Sequence, residues 1–217
     1  MKVKPVQLHV SESIGNISGE IIEGEKTEVV LTLAHGAGAG MNHSFMIALA
    51  EALAHHHITT LRFNFPFMEK KKGRPDVPAV AHRTIESAIT LAHATFPNKP
   101  LFVSGKSFGG RMSSQYLAKS PDAPVKGIIF YGFPLHPAGK PSIERAEHLK
   151  EISLPMLFLQ GTRDELAQWD LINSVTDSLS FATLQKLEGA DHAFKAGKKN
   201  LIPDLAQYTK AWIATRI

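Results

Sequence analysis

Leu101-Phe-Val-Ser-Gly-Lys-Ser-Phe-Gly-Gly-Arg111 changes character halfway along: an apolar run stops at Gly105, and a segment compatible with a helix begins at Ser107. Gly105 to Gly110 reads G-x-S-x-G-G, the pattern of a nucleophile elbow, a strand-to-helix turn so sharp that the serine between the glycines is pushed out above a sheet. Backbone in such a turn is strained, and a side chain at 105 or 109 would collide where strand and helix pass closely. The helix expected over Ser107 to Lys119 aims its N-terminal amides at the reaction centre. Ser107 is therefore the candidate nucleophile. Gly105-Lys106-Ser107 does not read as the tail of a phosphate-binding loop, because that motif needs a glycine where Pro100 stands.

Working outward, 217 residues with 43% hydrophobic content and no long low-complexity tract can bury one substantial core, and residues 1–217 read as a single domain. No cysteine occurs, which removes disulfides, thiolate zinc sites and cysteine nucleophiles and suits a reducing compartment. The first ten residues lack the apolar stretch of a signal peptide, and no segment approaches the roughly 18 apolar residues of a membrane span. The expectation is a soluble cytoplasmic protein without membrane attachment. The formal charge is +4, but the basic residues are scattered and the groups at 69–74 and 195–199 are short. Solvated loops explain them better than a nucleic-acid surface.

Short strands are expected at residues 6–10 and 17–22, paired as an antiparallel edge. Glu28 to Leu33 is the first strong β run, and its near-continuous apolar content suits a strand covered on both faces. It feeds into His35-Gly-Ala-Gly-Ala-Gly-Met-Asn-His43. A dinucleotide fingerprint fails here, because position 41 is Met and the next strand, Thr59 to Phe63, ends in Asn64 rather than an acid. The surviving reading is an oxyanion loop, in which Gly36 and Gly38 let backbone amides approach a substrate oxygen. Ala37 and Phe108 are the candidate amide donors, and His35 holds the loop in shape. Residues 43–56 read as a helix ending in three histidines; neighbours on a helix point apart, so a helix C-terminus explains them better than a metal site.

Asn64 to Pro78 reads as a long binding loop or flap, with Phe65 and Phe67 either walling a pocket or packing beneath it. Further helices are expected at Val80 to Phe96, Ser142 to Lys150, Trp169 to Leu179 and Leu201 to Ile217. Strands are expected at Val125 to Tyr131, Met156 to Gln160 and Thr183 to Leu187. This alternation predicts an α/β domain with a mainly parallel sheet and helices on both faces.

Ligands of parallel α/β sheets sit beyond the carboxyl ends of the strands, and every notable residue falls there. The order Ser107, Asp164, His192 is that of an α/β-hydrolase triad. His192 would take the serine proton and pass it to the leaving group; Asp164 would orient the imidazole. Asp191 is the competing acid, placed too close in sequence to reach that ring well. Arg62, Lys106 and Arg111 lie near the site and are candidate contacts for an anionic substrate group.

The set His35-Gly-Ala-Gly-Ala-Gly40, Arg62-Phe-Asn-Phe-Pro66, Gly105-Lys-Ser-Phe-Gly-Gly-Arg111, Tyr131-Gly-Phe-Pro134, Gly161-Thr-Arg-Asp164 and Asp191-His192 resembles a family of small α/β-hydrolase-like proteins. That family includes dienelactone-hydrolase-like members, testis-expressed protein 30 and a hydrolase-like domain of a nonspecific-lethal chromatin-complex subunit. The resemblance runs from about residue 28 to the C-terminus and implies an α/β-hydrolase fold without a separate cap domain. Dienelactone hydrolases proper use a cysteine where Ser107 stands, so dienelactone turnover is not implied. Two readings follow. One is a serine hydrolase of the carboxylesterase or thioesterase type, acting on a small acyl substrate without cofactor or metal. The other is a catalytically silent module that binds a ligand or protein.

Overall fold

The structure, a computed structural model, describes residues 1–217. Its centre is an eight-stranded sheet in the order β1-β2-β4-β3-β5-β6-β7-β8. The strands β1 (Lys2–Ser11) and β2 (Gly15–Glu23) pair antiparallel, and β2 pairs antiparallel with β4 (Ile58–Phe63). All remaining pairs are parallel: β3 (Val29–Ala34) lies between β4 and β5 (Leu101–Lys106), followed by β6 (Ile128–Tyr131), β7 (Met156–Gly161) and β8 (Ala182–Leu187). A two-residue pair, β9 (Lys195–Ala196) and β10 (Lys199–Asn200), forms a separate hairpin.

Every residue of β3, β4, β6 and β7 is buried, because helices cover both sheet faces. On one face α1 (Ser44–His55) and α6 (Ile202–Ala214) pack with Leu31, Leu33, Phe102 and Tyr131. On the other, α3 (Pro78–Thr95), α4 (Phe108–Lys119) and α5 (Trp169–Asp177) cover Val30, Val103, Phe130 and Phe158. Two apolar layers thus flank one sheet, which holds the parallel strand ends rigid for the loops beyond them. No helix is long and apolar enough to cross a membrane.

Two expectations change. The stretch 64–78 is not all loop: Pro66–Glu69 forms the short helix α2, with the Asp76 carboxylate accepting the Phe67 N–H at 2.8 Å. Phe65 and Phe67 are buried against His35 and Phe108, so they are packing beneath the site and not pocket wall. The segment expected as helix at 142–150 is a tighter 3-10 helix over Glu144–Glu151. Prolines at 134, 137 and 141 precede it and favour an irregular path.

Candidate active site

The site is built where β5 turns into α4. Ser107 caps that helix with φ 50° and ψ −116°, a left-handed backbone that a serine adopts only under constraint. The constraint is steric. A Cβ at Gly105 would stand 2.3 Å from the Gly110 nitrogen, and one at Gly109 would stand 2.5 Å from the Ala34 carbonyl oxygen. Only glycine lets α4 start this close to β5 and β3.

His192 reaches the serine from the loop after β8. Its Nε2 lies 2.8 Å from Ser107 Oγ, and its Nδ1 lies 2.7 Å from Asp164 Oδ2. Asp164 follows β7 and is 4% exposed. Its Oδ2 also accepts from the Gln160 amide at 2.6 Å, and its Oδ1 accepts the Leu166 N–H at 2.8 Å. Held at both oxygens by these two donors, the carboxylate presents Oδ2 to Nδ1. That fixes the imidazole with its proton on Nδ1 and a free lone pair on Nε2, aimed at the hydroxyl. Asp191 is occupied elsewhere: its Oδ1 accepts the Ala193 and Lys195 N–H groups at 2.9 and 2.8 Å, stapling its own loop.

Facing the serine is the loop after β3. Gly36, Ala37 and Gly38 line a cavity of about 460 Å³ together with Ser107, Phe45 and His192. A Cβ at Gly36 would lie 3.7 Å from that of Ser107, in ordinary contact, and one at Gly38 would meet nothing within 4 Å. The Ala37 and Phe108 amides donate to no other protein group, so both remain available to an oxygen at this mouth.

The loop's shape has an identifiable cause. His35 is fully buried, and its Nε2 accepts the Phe65 N–H at 2.9 Å. The ring therefore carries its proton on Nδ1, which donates to the Gly36 carbonyl at 2.7 Å. Arg62 and Asn64 clamp the far end: Arg62 Nη1 donates to the Met41 carbonyl, and Asn64 Oδ1 accepts the Met41 N–H at 3.0 Å.

Burial pushes the His35 imidazole down to about 4, from an ordinary 6.5. Between those pH values the unfolded chain binds a proton that the folded chain does not, so stability rises with pH across the window and is lost as pH falls. The shift corresponds to about 3 kcal/mol. Wild-type protein is expected to lose about that much more stability than His35→Gln between pH 7 and pH 4, measured by urea unfolding. Parallel pH profiles would contradict this.

The expected cationic rim is corrected at two positions. Arg62 is 2% exposed and turned inward, paired with Glu20 on β2 through Nη2, so it braces the loop and lines neither cavity beside Ser107. Lys106 lines the cavity wall, but its Nζ donates to the His192 carbonyl at 2.7 Å and lies 5.3 Å from the Phe194 ring centroid. Its ammonium is pushed down to about 8 by burial, against the pull of Asp164 and Asp191. Lys106 is thereby a tether for the histidine loop. Arg111 does face a cavity adjoining Ser107.

Sequence reading missed Gln160, whose Oε1 accepts the Phe133 N–H at 2.9 Å while its amide donates to Asp164. A lone amide ending the otherwise apolar Met156-Leu-Phe-Leu-Gln160 was the available signal. It also missed Leu166 and Arg145, which line the cavities beside Ser107.

An elbow serine, a histidine and a buried acid, in that chain order beyond the carboxyl ends of a parallel sheet, define a protein of α/β-hydrolase type. A family model for the alpha/beta hydrolase domain matches residues 27–213, and the chain belongs to that family. Dienelactone hydrolase from Anabaena variabilis has a similar structure, with TM-score 0.80 and 18% identity, covering 100% of this chain and 98% of that one. An alpha-beta serine hydrolase homologue from Coxiella burnetii aligns with TM-score 0.79 and 20% identity, covering 98% of each chain. At these identities the likeness establishes the fold. A proline iminopeptidase of Thermoplasma volcanium is 29% identical over 117 residues, 52% of this chain and 37% of that protein. This chain thus matches little more than a third of that relative's length.

Proposed function

We propose that the protein is a serine hydrolase that cleaves an ester, thioester or related acyl bond through an acyl-enzyme. The observation that carries the reading is the continuous line Ser107 Oγ, His192 Nε2, His192 Nδ1, Asp164 Oδ2, with separations of 2.8 and 2.7 Å, opening on a cavity with two unengaged amides.

In the first half-reaction, Ser107 Oγ bonds to the substrate carbonyl carbon as His192 Nε2 takes the hydroxyl proton. The carbonyl oxygen, now anionic, accepts from the Ala37 and Phe108 amides. The imidazolium, stabilised by Asp164, gives its proton to the departing oxygen or sulfur as the bond from carbon to the leaving group breaks. A water then repeats the cycle: His192 removes its proton, the new bond forms at the acyl carbon, and Ser107 leaves reprotonated. Gln160 and the Leu166 amide keep Asp164 aligned, and Lys106 keeps the histidine loop in place. The Asp164 and His192 roles need neither a metal nor a cofactor.

A fluorophosphonate probe tests this. We expect stoichiometric labelling, mapped by peptide mass spectrometry to Ser107 and abolished in Ser107→Ala and His192→Ala proteins. Labelling at another serine would overturn the assignment. A folded protein that does not label would favour a silent ligand- or protein-binding module.

A further inference from the structure

Ser107 stands on the wall between two cavities. The first, described above, is largely apolar. The second, of about 370 Å³, shares Ala37, Ser107 and Leu166 with it and extends to Arg111, Arg145 and Asp76.

The two arginines are oddly provided for. Arg111 lies one helical turn beyond Ser107, its backbone N–H bonded to the Ser107 carbonyl at 3.0 Å. Arg145 comes from the 3-10 segment and lines the same cavity. Neither takes part in an ion pair. Arg111 Nε is buried without a hydrogen-bond partner, and the side-chain bond from Arg145 is a long one, 3.5 Å to the Pro134 carbonyl. The Arg111 guanidinium is pushed down first by burial and then by the charge of Arg145. Asp76 also lines the cavity, but its Oδ2 is engaged by the Phe67 N–H. His148, behind Arg111, is held neutral near pKa about 4 by burial and by that same arginine, and it faces Ser114. Two partly buried cations therefore sit close to each other with no carboxylate paired to either, Asp76 being the one acid that lines the cavity. Such an arrangement costs free energy until an anion enters between them.

We propose that Arg111 and Arg145 form an anion subsite beside Ser107, which selects acyl substrates carrying a carboxylate or phosphate on one side of the scissile bond and an apolar group on the other. Guanidinium forks suit planar or tetrahedral oxyanions, and the separate apolar cavity holds the uncharged part. The inference rests on the serine-hydrolase reading for its substrate. Its anion-binding part does not.

Two ester pairs test it. Mono-4-nitrophenyl glutarate against methyl 4-nitrophenyl glutarate places the charge on the acyl side. The butyryl ester of 4-hydroxybenzoate against that of its methyl ester places it on the leaving group. In at least one pair, kcat/KM for the anionic ester is expected to exceed that for the neutral one by about tenfold or more, mainly through KM. The preference should fall with ionic strength and collapse toward unity in Arg111→Gln and in Arg145→Gln. It should persist in Arg83→Gln, an exposed arginine on α3. Thermal melts of each variant report folding, and Arg111→Lys and Arg145→Lys, which keep the charge without the fork, should retain part of the preference.

Calorimetric titration of free glutarate and of inorganic phosphate into Ser107→Ala protein, with and without Arg111→Gln, reads the subsite without turnover. Binding that disappears with Arg111→Gln supports it, and the tighter of the two ligands identifies the oxyanion. Turnover of neutral esters with no anionic preference in either pair overturns the subsite and leaves the hydrolase intact. Absence of turnover together with arginine-dependent anion binding overturns the hydrolase and keeps the subsite. Absence of both overturns both.

Discussion

Ser107→Ala and His192→Ala are each expected to lower kcat on an activated ester by about 10⁴- to 10⁶-fold, and the double variant by no more than either alone. The reason is that the two groups act as one unit. Without His192 Nε2 at 2.8 Å, the Ser107 hydroxyl has no base to take its proton and attacks as a neutral alcohol. Without Ser107, the imidazole retains a strong base position but no covalent route. Removing the second member therefore removes nothing that still works, and the costs do not add. The residue left is whatever the Ala37 and Phe108 amides and the cavity supply by binding alone. Single-turnover kinetics with 4-nitrophenyl esters, beside thermal melts to confirm folding, make the measurement. If either folded single variant keeps more than a tenth of the wild-type rate, or if the double variant loses the product of the two effects, the unit does not exist as described.

What could be read from the sequence was local, and what could not was set by packing over distance. The elbow is a six-residue pattern whose glycines are demanded by contacts within the turn itself, so Gly105 and Gly109 announce it. The strand ends likewise announce themselves, because β3, β5 and β7 are apolar runs that stop at glycine-containing turns. Arg62 is different. All six residues of β4 are buried, so alternation along the strand gives no clue to which way the guanidinium turns. Its partner Glu20 sits on β2, and only the antiparallel pairing that places Glu20 opposite Arg62 brings the charges together.

Lys106 shows the same limit at shorter range. The residue before an elbow serine ends a strand, but whether its ammonium enters the cavity or ties down the histidine loop depends on the path of residues 189–200. Phe194, at φ 61°, turns that loop so that the His192 carbonyl meets Nζ. Arg145 gave no signal at all. The run Glu144-Arg-Ala-Glu-His-Leu-Lys-Glu151 has the composition of a solvated surface, and its position beside the elbow follows from how the proline-rich excursion after β6 returns to α4.

Asp164→Asn is expected to lower kcat by about 10⁴-fold, whereas Asp191→Asn should change it by only a few-fold. The hydrogen-bond inventory around each acid gives the contrast. Asp164 receives three donors: His192 Nδ1–H and the Gln160 amide on Oδ2, and the Leu166 N–H on Oδ1. An asparagine has one oxygen for the two sides. If that oxygen faces Leu166, the new amide confronts both His192 and Gln160; if it faces His192, the amide confronts the Leu166 N–H. Gln160 cannot flip to compensate, because its own oxygen accepts the Phe133 N–H. The first arrangement favours an imidazole protonated on Nε2, which cannot accept the Ser107 proton, and the second sacrifices a half-buried backbone donor. Asp191 uses only Oδ1, toward two backbone amides, and an asparagine oxygen can serve both. Turnover of both variants on one activated ester, with urea unfolding to separate activity from stability, decides between the acids. Greater loss in a stably folded Asp191→Asn protein would transfer the orienting role to Asp191 and refute the assignment of Asp164.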